Sequence, residues 1–144
     1  MQGPKKNQIL NSFCSDEKLI HHSKHLLLEL YGCDYEKLND ESFLRCILNR
    51  AAKLANATVL NLISNKFEPQ GVTAIALLAE SHISIHTWPE SNYSAVDIFT
   101  CGQNMLPEQA SQYLIESLMA KEHALRVIER DPPTAVPQQI RTAV

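Results

Sequence analysis

A chain of 144 residues has room for one domain with a proper core. Its hydrophobic share of 44%, charged share of 20% and formal net charge of −3 are those of an ordinary soluble globular protein, and they exclude an electrostatic nucleic-acid footprint. No apolar run is long enough to span a bilayer, and Met1 to Asn11 carries Lys5 and Lys6 without the apolar stretch of a secretory signal. Cys14, Cys33, Cys46 and Cys101 form no C-x-x-C pair and read as reduced thiols of a cytoplasmic protein, the first three of them structural.

Residues 1–22 are polar and patternless and read as a flexible N-terminal arm; 23–130 carry the pattern of one domain; 131–144, with Pro132, Pro133 and Pro137, read as a disordered C-terminal tail. Within the domain, His25 to Tyr31 is a short apolar run closed by Gly32, as in a strand. Asn39 or Asp40 can cap a helix over 40–56 whose apolar stripe is Phe43, Cys46 or Ile47, Arg50 or Ala51, and Leu54. Ala57 to Ile63 predicts a strand, and Asn65 to Gly71 a loop punctuated by Pro69 and Gly71. Residues 72–79 predict an apolar strand. In Ser81 to Trp88, Ile83 and Ile85 point one way while His82, Ser84, His86 and Trp88 point the other. After a turn at Pro89 to Tyr93 the chain returns as a strand over Ser94 to Cys101. Pro107 opens a helix with Ala110, Tyr113, Leu114, Ser117 and Leu118 inward, and His123 to Arg130 is a last strand. This order predicts an α+β fold: a two-layer α/β sandwich on a largely antiparallel sheet, helices on one face.

Residues 80–101 are unusual for a plain sheet, because two histidines, a tryptophan, acids and a cysteine crowd an otherwise apolar hairpin. Taken singly each fits an exposed polar sheet face. Together, AESHISIHTWPE followed by AVDIFTCG resembles the core signature of the prokaryotic S-adenosylmethionine decarboxylase proenzymes, which depend on a pyruvoyl group. HLLLELYGCD and FEPQGVT match the same pattern, so the resemblance spans roughly residues 23–130.

The resemblance implies a proenzyme that cuts itself between Glu80 and Ser81. The Ser81 hydroxyl attacks the Glu80 carbonyl, the peptide becomes an ester, and loss of the Ser81 α-proton expels the Glu80 carboxylate. The remnant of Ser81 hydrolyses to a pyruvoyl group, a covalent cofactor that forms a Schiff base with the amine of S-adenosylmethionine and takes up the electrons of decarboxylation. The product is the aminopropyl donor for spermidine synthesis. By the same resemblance His86 serves processing, Thr73 supports it where relatives often carry serine, and Cys101 reprotonates the substrate carbon. Phe67 and Trp88 match the aromatics that stack on adenine, and Glu90 the acid that accepts from the ribose hydroxyls. No metal, nucleic acid or membrane enters this picture. A pyruvoyl-dependent arginine or ornithine decarboxylase is the nearest alternative, because Ser81, His86 and Cys101 serve the shared chemistry; a binding protein with a dead site is a more distant one.

The hairpin register carries a further expectation. If Trp88 pairs with Ser94, Cys101 falls opposite Ser81 and shares its face, while His86, Trp88 and Glu90 point to the other. His86 then cannot easily reach Ser81 of its own chain, and a second copy can supply it across a two-fold interface. The resemblance likewise implies a homodimer.

Overall fold

The computed structural model describes residues 22–130; the expectations for the N-terminal arm up to residue 21 and for the 131–144 tail lie outside the described residues. Six strands and three helices follow in the order β1 (Ser23–Tyr31), α1 (Tyr35–Leu38), α2 (Glu41–Leu54), β2 (Val59–Lys66), β3 (Val72–Leu78), β4 (Ser81–Trp88), β5 (Tyr93–Cys101), α3 (Pro107–Ser117) and β6 (Glu122–Glu129). The strands form one antiparallel sheet ordered β2-β3-β4-β5-β1-β6. The α+β sandwich expected from the residue pattern is the fold observed.

Period-two alternation builds the core. Leu26, Leu28, Leu30, Ala74, Ala76, Ile83, Ile85, Val96 and Ile98 all point to one face, where they are buried under α2 and α3. Asp40 caps α2, its Oδ1 accepting from Phe43 N–H at 2.9 Å. The buried stripe of α2 is Leu44, Ile47, Leu48, Ala51 and Ala52, rotated from the expected one. Phe43 is only half-buried, with Lys37 Nζ 4.4 Å from its ring centre, and Cys46 is exposed rather than structural. Cys33 is buried, which pushes its thiol up to about 11. In α3 the inward serine is Ser111, whose hydroxyl donates to the Glu108 carbonyl at 2.9 Å, instead of Ser117. β2 also runs three residues further than expected, to Lys66, because its pairing with β3 persists to Val72.

The β4–β5 register differs from the expected one. Trp88 pairs with Tyr93 and Ser81 with Thr100. The turn is one residue shorter because Asn92, at φ 49°, takes the left-handed conformation that asparagine tolerates, leaving Tyr93 free to start the strand. Asn92 is locked there by its N–H donating to the Pro89 carbonyl at 3.0 Å and its side chain donating to the Cys33 carbonyl at 2.9 Å. A one-residue slip moves every side chain of β5 to the other face. Cys101 therefore shares its face with His82, Ser84, His86 and Trp88, and not with the inward-facing row to which Ser81 belongs by parity.

Candidate active site

The face of the sheet without helices carries the chemistry. Its cross-strand rows follow from the pairings: Leu77, His82, Phe99 and His25; Ile75, Ser84, Asp97 and Leu27; Thr73, His86, Ala95 and Glu29. Trp88 and Tyr93 close it at one end, and Cys101 and Ser23 at the other.

At the Cys101 end, the Cys101 N–H donates to the Glu80 carbonyl at 3.0 Å. This is the carbonyl of the Glu80–Ser81 peptide. A backbone donor on its oxygen polarises the carbon and stands ready for an oxyanion. The Glu80 carboxylate accepts from Thr58 N–H at 2.9 Å, fixing the residue before the junction. Ser81 itself sits at φ 149°, a backbone conformation that L residues hold only under constraint. A hydroxyl beside a polarised, strained peptide is the arrangement from which a pyruvoyl group is made, so these residues fit that group.

At the other end, Thr73 Oγ1 and His86 Nδ1 are 3.0 Å apart, a contact that orients the ring. Trp88 packs on Tyr93 with centroids 5.2 Å apart, and Tyr93 stacks on Tyr31 at 5.5 Å. The Tyr93 phenol donates to Glu29; burial first, and then that carboxylate, push the phenol up to about 12. Glu90 lies in a short 3-10 turn, Pro89–Ser91, and its Oε2 accepts from Gln70 Nε2 at 3.2 Å; Gln70 in turn accepts from the Tyr35 hydroxyl at 3.1 Å. Phe67 is exposed in the β2–β3 turn. Gly71 closes that turn at φ 97°, where an added Cβ would meet the Thr87 carbonyl oxygen at 3.0 Å, so the close approach to β4 needs glycine.

The structure thus gathers the expected residues into two groups. Glu80, Ser81 and Cys101 share one end; Phe67, Thr73, His86, Trp88 and Glu90 share the other. Five residue steps along β4, about 16 Å at the usual rise, separate His86 from Ser81. Between the groups lies a network that the motif reading missed. His25 Nε2 is 3.1 Å from Asp97 Oδ1, and Ser84 donates to Asp97 Oδ2 at 3.2 Å. The signal was present in SKHLLLELY, where His25 and Glu29 interrupt the outward positions of an otherwise apolar strand. Among the described residues no His, Cys, Asp and Glu cluster could hold a metal, and no helix is long and apolar enough to cross a membrane.

The class of protein defined here is a two-layer α+β sandwich whose open sheet face gathers histidines, aromatics and a cysteine near a serine held at positive φ. Comparison with known proteins narrows this. The S-adenosylmethionine decarboxylase family matches residues 24–131. The S-adenosylmethionine decarboxylase proenzyme of Prochlorococcus marinus (strain MIT 9313) is 59% identical over 118 residues, covering 82% of this chain and 94% of its own length. That of Synechococcus sp. (strain WH7803) is 60% identical over 119 residues, covering 83% and 93%. The crystal structure of the adenosylmethionine decarboxylase from Aquifex aeolicus VF5 superposes with a TM-score of 0.72 at 37% identity, over 83% of this chain and 99% of that one. The chain belongs to the S-adenosylmethionine decarboxylase family.

Proposed function

We propose that this chain is made as a cytoplasmic proenzyme, cuts itself between Glu80 and Ser81, and decarboxylates S-adenosylmethionine at two sites built by a pair of chains. Decarboxylation of S-adenosylmethionine is the activity of the family to which the chain belongs, and the arginine or ornithine alternative has no support among its relatives.

The observation that carries the cleavage reading is the 3.0 Å hydrogen bond from Cys101 N–H to the Glu80 carbonyl. Ser81 Oγ adds to that carbon, the C–N bond breaks, and the hydroxyl proton ends on the freed nitrogen. The backbone donor holds the oxyanion formed on the way. Opening the peptide also releases the constraint that holds Ser81 at φ 149°. A base then removes the Ser81 α-proton, and the Glu80 carboxylate leaves. The dehydroalanine left behind tautomerises to an imine, water adds and the nitrogen departs as ammonia; the pyruvoyl group so formed would supply an electron sink for decarboxylation. Cys101, on the open face beside the junction, delivers a proton to the substrate carbon.

The base is His86 of a second chain. Along one strand it lies about 16 Å from Ser81, too far to take a proton. The open face also exposes large apolar side chains, including Leu77 at 51% and Ile63 at 61%, which a single chain leaves in water. A two-fold axis between two such faces, running across the strands near Ser84, lays the Ser81 end of one chain on the His86 end of the other. Each site then joins Ser81 and Cys101 of one chain to Thr73, His86, Phe67, Trp88 and Glu90 of its partner. Trp88 and Phe67 offer faces to the adenine, and Glu90, steered by Gln70, accepts from the ribose diol. Purified protein should run on a denaturing gel as fragments 1–80 and 81–144, the second blocked to Edman sequencing, and should release carbon dioxide from S-adenosylmethionine in preference to arginine and ornithine. An intact, uncut chain that turns over S-adenosylmethionine would overturn the reading.

A further inference from the structure

Loss of carbon dioxide followed by protonation of the same carbon consumes one proton from solvent per turnover. A thiol that delivers this proton is left as thiolate and must be reloaded. The open face holds one arrangement suited to that task. His25 pairs with Phe99, so Cys101 is its diagonal neighbour on β5, with side chains on the same face. Diagonal neighbours stand about 7–8 Å apart, a gap that an imidazole and one bridging water cross.

The ring is oriented for this. Nε2 faces Asp97 Oδ1 at 3.1 Å, two residues from Phe99 on the side away from Cys101. Asp97 is itself anchored by the Ser84 hydroxyl at 3.2 Å. Nδ1 is turned the other way, with Arg130 Nη1 3.5 Å from it. The guanidinium also stacks on Phe99, 4.4 Å from the ring centre. A carboxylate on Nε2 and a cationic donor near Nδ1 favour the tautomer with its proton on Nε2 and its lone pair on Nδ1. His82 lies on the same face with its ring edge-on to His25 at 6.3 Å, and no carboxylate among the described residues orients it.

We propose that His25 is the relay that reprotonates Cys101, with Asp97 and Ser84 as its positioning residues; this rests on the reading of Cys101 as the proton donor. The step balances: solvent protonates Nδ1, the Nδ1 proton passes to the Cys101 thiolate, and the ring returns to its neutral form.

The test uses the self-cleaved full chain. In His25→Ala, cleavage should go to completion, which also certifies the fold. kcat for S-adenosylmethionine should fall on the order of 10²-fold with KM unchanged. Added imidazole should restore kcat in a concentration-dependent way, and should do nothing for wild type or for Cys101→Ala. His25→Gln, which can still donate to Asp97 but carries no exchangeable ring proton, should be as slow as His25→Ala. Wild-type kcat in His25→Ala, failure of imidazole to rescue it, or full activity in His25→Gln would overturn the relay. Failure of both variants to cleave would make His25 a folding residue and overturn it too. If Cys101→Ala keeps wild-type turnover, the proton-donor reading fails and the relay with it. If Cys101→Ala is dead while His25→Ala is normal, only the relay fails.

Discussion

The two faces of the sheet are made from the same strands and do opposite work. In β1, Leu26, Leu28 and Leu30 disappear beneath the helices while His25, Glu29 and Tyr31, one residue away, stand on the open face. In β4, Ile83 and Ile85 are core, and His82, His86 and Trp88 are not. The covered face satisfies the chain alone, with apolar side chains and no buried polar side-chain atom left unpartnered among the described residues. The open face is unfinished in one chain. It carries apolar area in water and splits its candidate site between two ends of a strand. One face therefore makes the fold, and the other carries the candidate site, for which we propose a second copy as partner.

The largest effect on the open face is expected from Ser81→Ala. A methyl cannot attack Glu80, so the chain should remain full length on a denaturing gel and inactive. Cleavage at that bond in the variant would refute the serine mechanism.

Whether the open face needs a partner is decided by mixing. His86→Ala chains alone should stay uncut, and co-expression with Ser81→Ala chains should restore cleavage of the His86→Ala chain, whose Ser81 then meets an intact partner histidine. A verified mixed dimer that stays uncut would mean that each chain carries a complete site.

The covered face should respond in stability and not in chemistry. Leu28→Ala removes a fully buried side chain and should cost about 2–5 kcal/mol in urea unfolding. Leu77→Ala, on the open face, should instead raise the fraction of monomer in sedimentation. Equal loss of stability from both, with no change in association, would erase the distinction between the faces.

At the substrate end, Trp88→Ala and Glu90→Ala should leave self-cleavage intact and raise KM for S-adenosylmethionine. Aromatic stacking on a base is worth about 1–3 kcal/mol, or roughly 5- to 150-fold. Unchanged KM in both would remove these residues from substrate binding.

The smallest effect belongs to the rim. Lys24 Nζ meets Glu108 Oε1 at 2.7 Å, with both side chains nearly half exposed. For Glu108, burial works against the charged form, but the hydrogen bond and charge of Lys24 win and the carboxyl titrates below its ordinary 4.5. The hydrogen bond and charge of Glu108 hold Lys24 above its ordinary 10.5. The lowered acid stabilises above 4.5 and loses this as pH falls below it; the raised base stabilises below 10.5 and loses this as pH rises beyond it. Solvent screening keeps the pair under about 1 kcal/mol. Lys24→Met should therefore lower stability slightly between those limits, and the difference should vanish in acid.

Most of this molecule was legible in its residue order. Alternation in SHISIHTW assigned the inward isoleucines and the outward histidines, Asn39 or Asp40 marked the start of α2, and the run around Ser81 resembled one family's signature. These are local matters, set by the period of a strand, the orphan N–H groups of a helix end, and a contiguous motif that can be matched to a family. Tertiary structure decided the rest. The face on which Cys101 stands depended on whether Asn92 closes the turn in the left-handed region, because a strand repeats every two residues and a slip of one inverts every side chain. The pairing of His25 with Asp97, 72 residues away, depended on β1 inserting between β5 and β6, which no local pattern states. Distance along β4, fixed by the rigid rise of a strand, set His86 about 16 Å from its own Ser81, which is the ground for proposing a site shared by two chains.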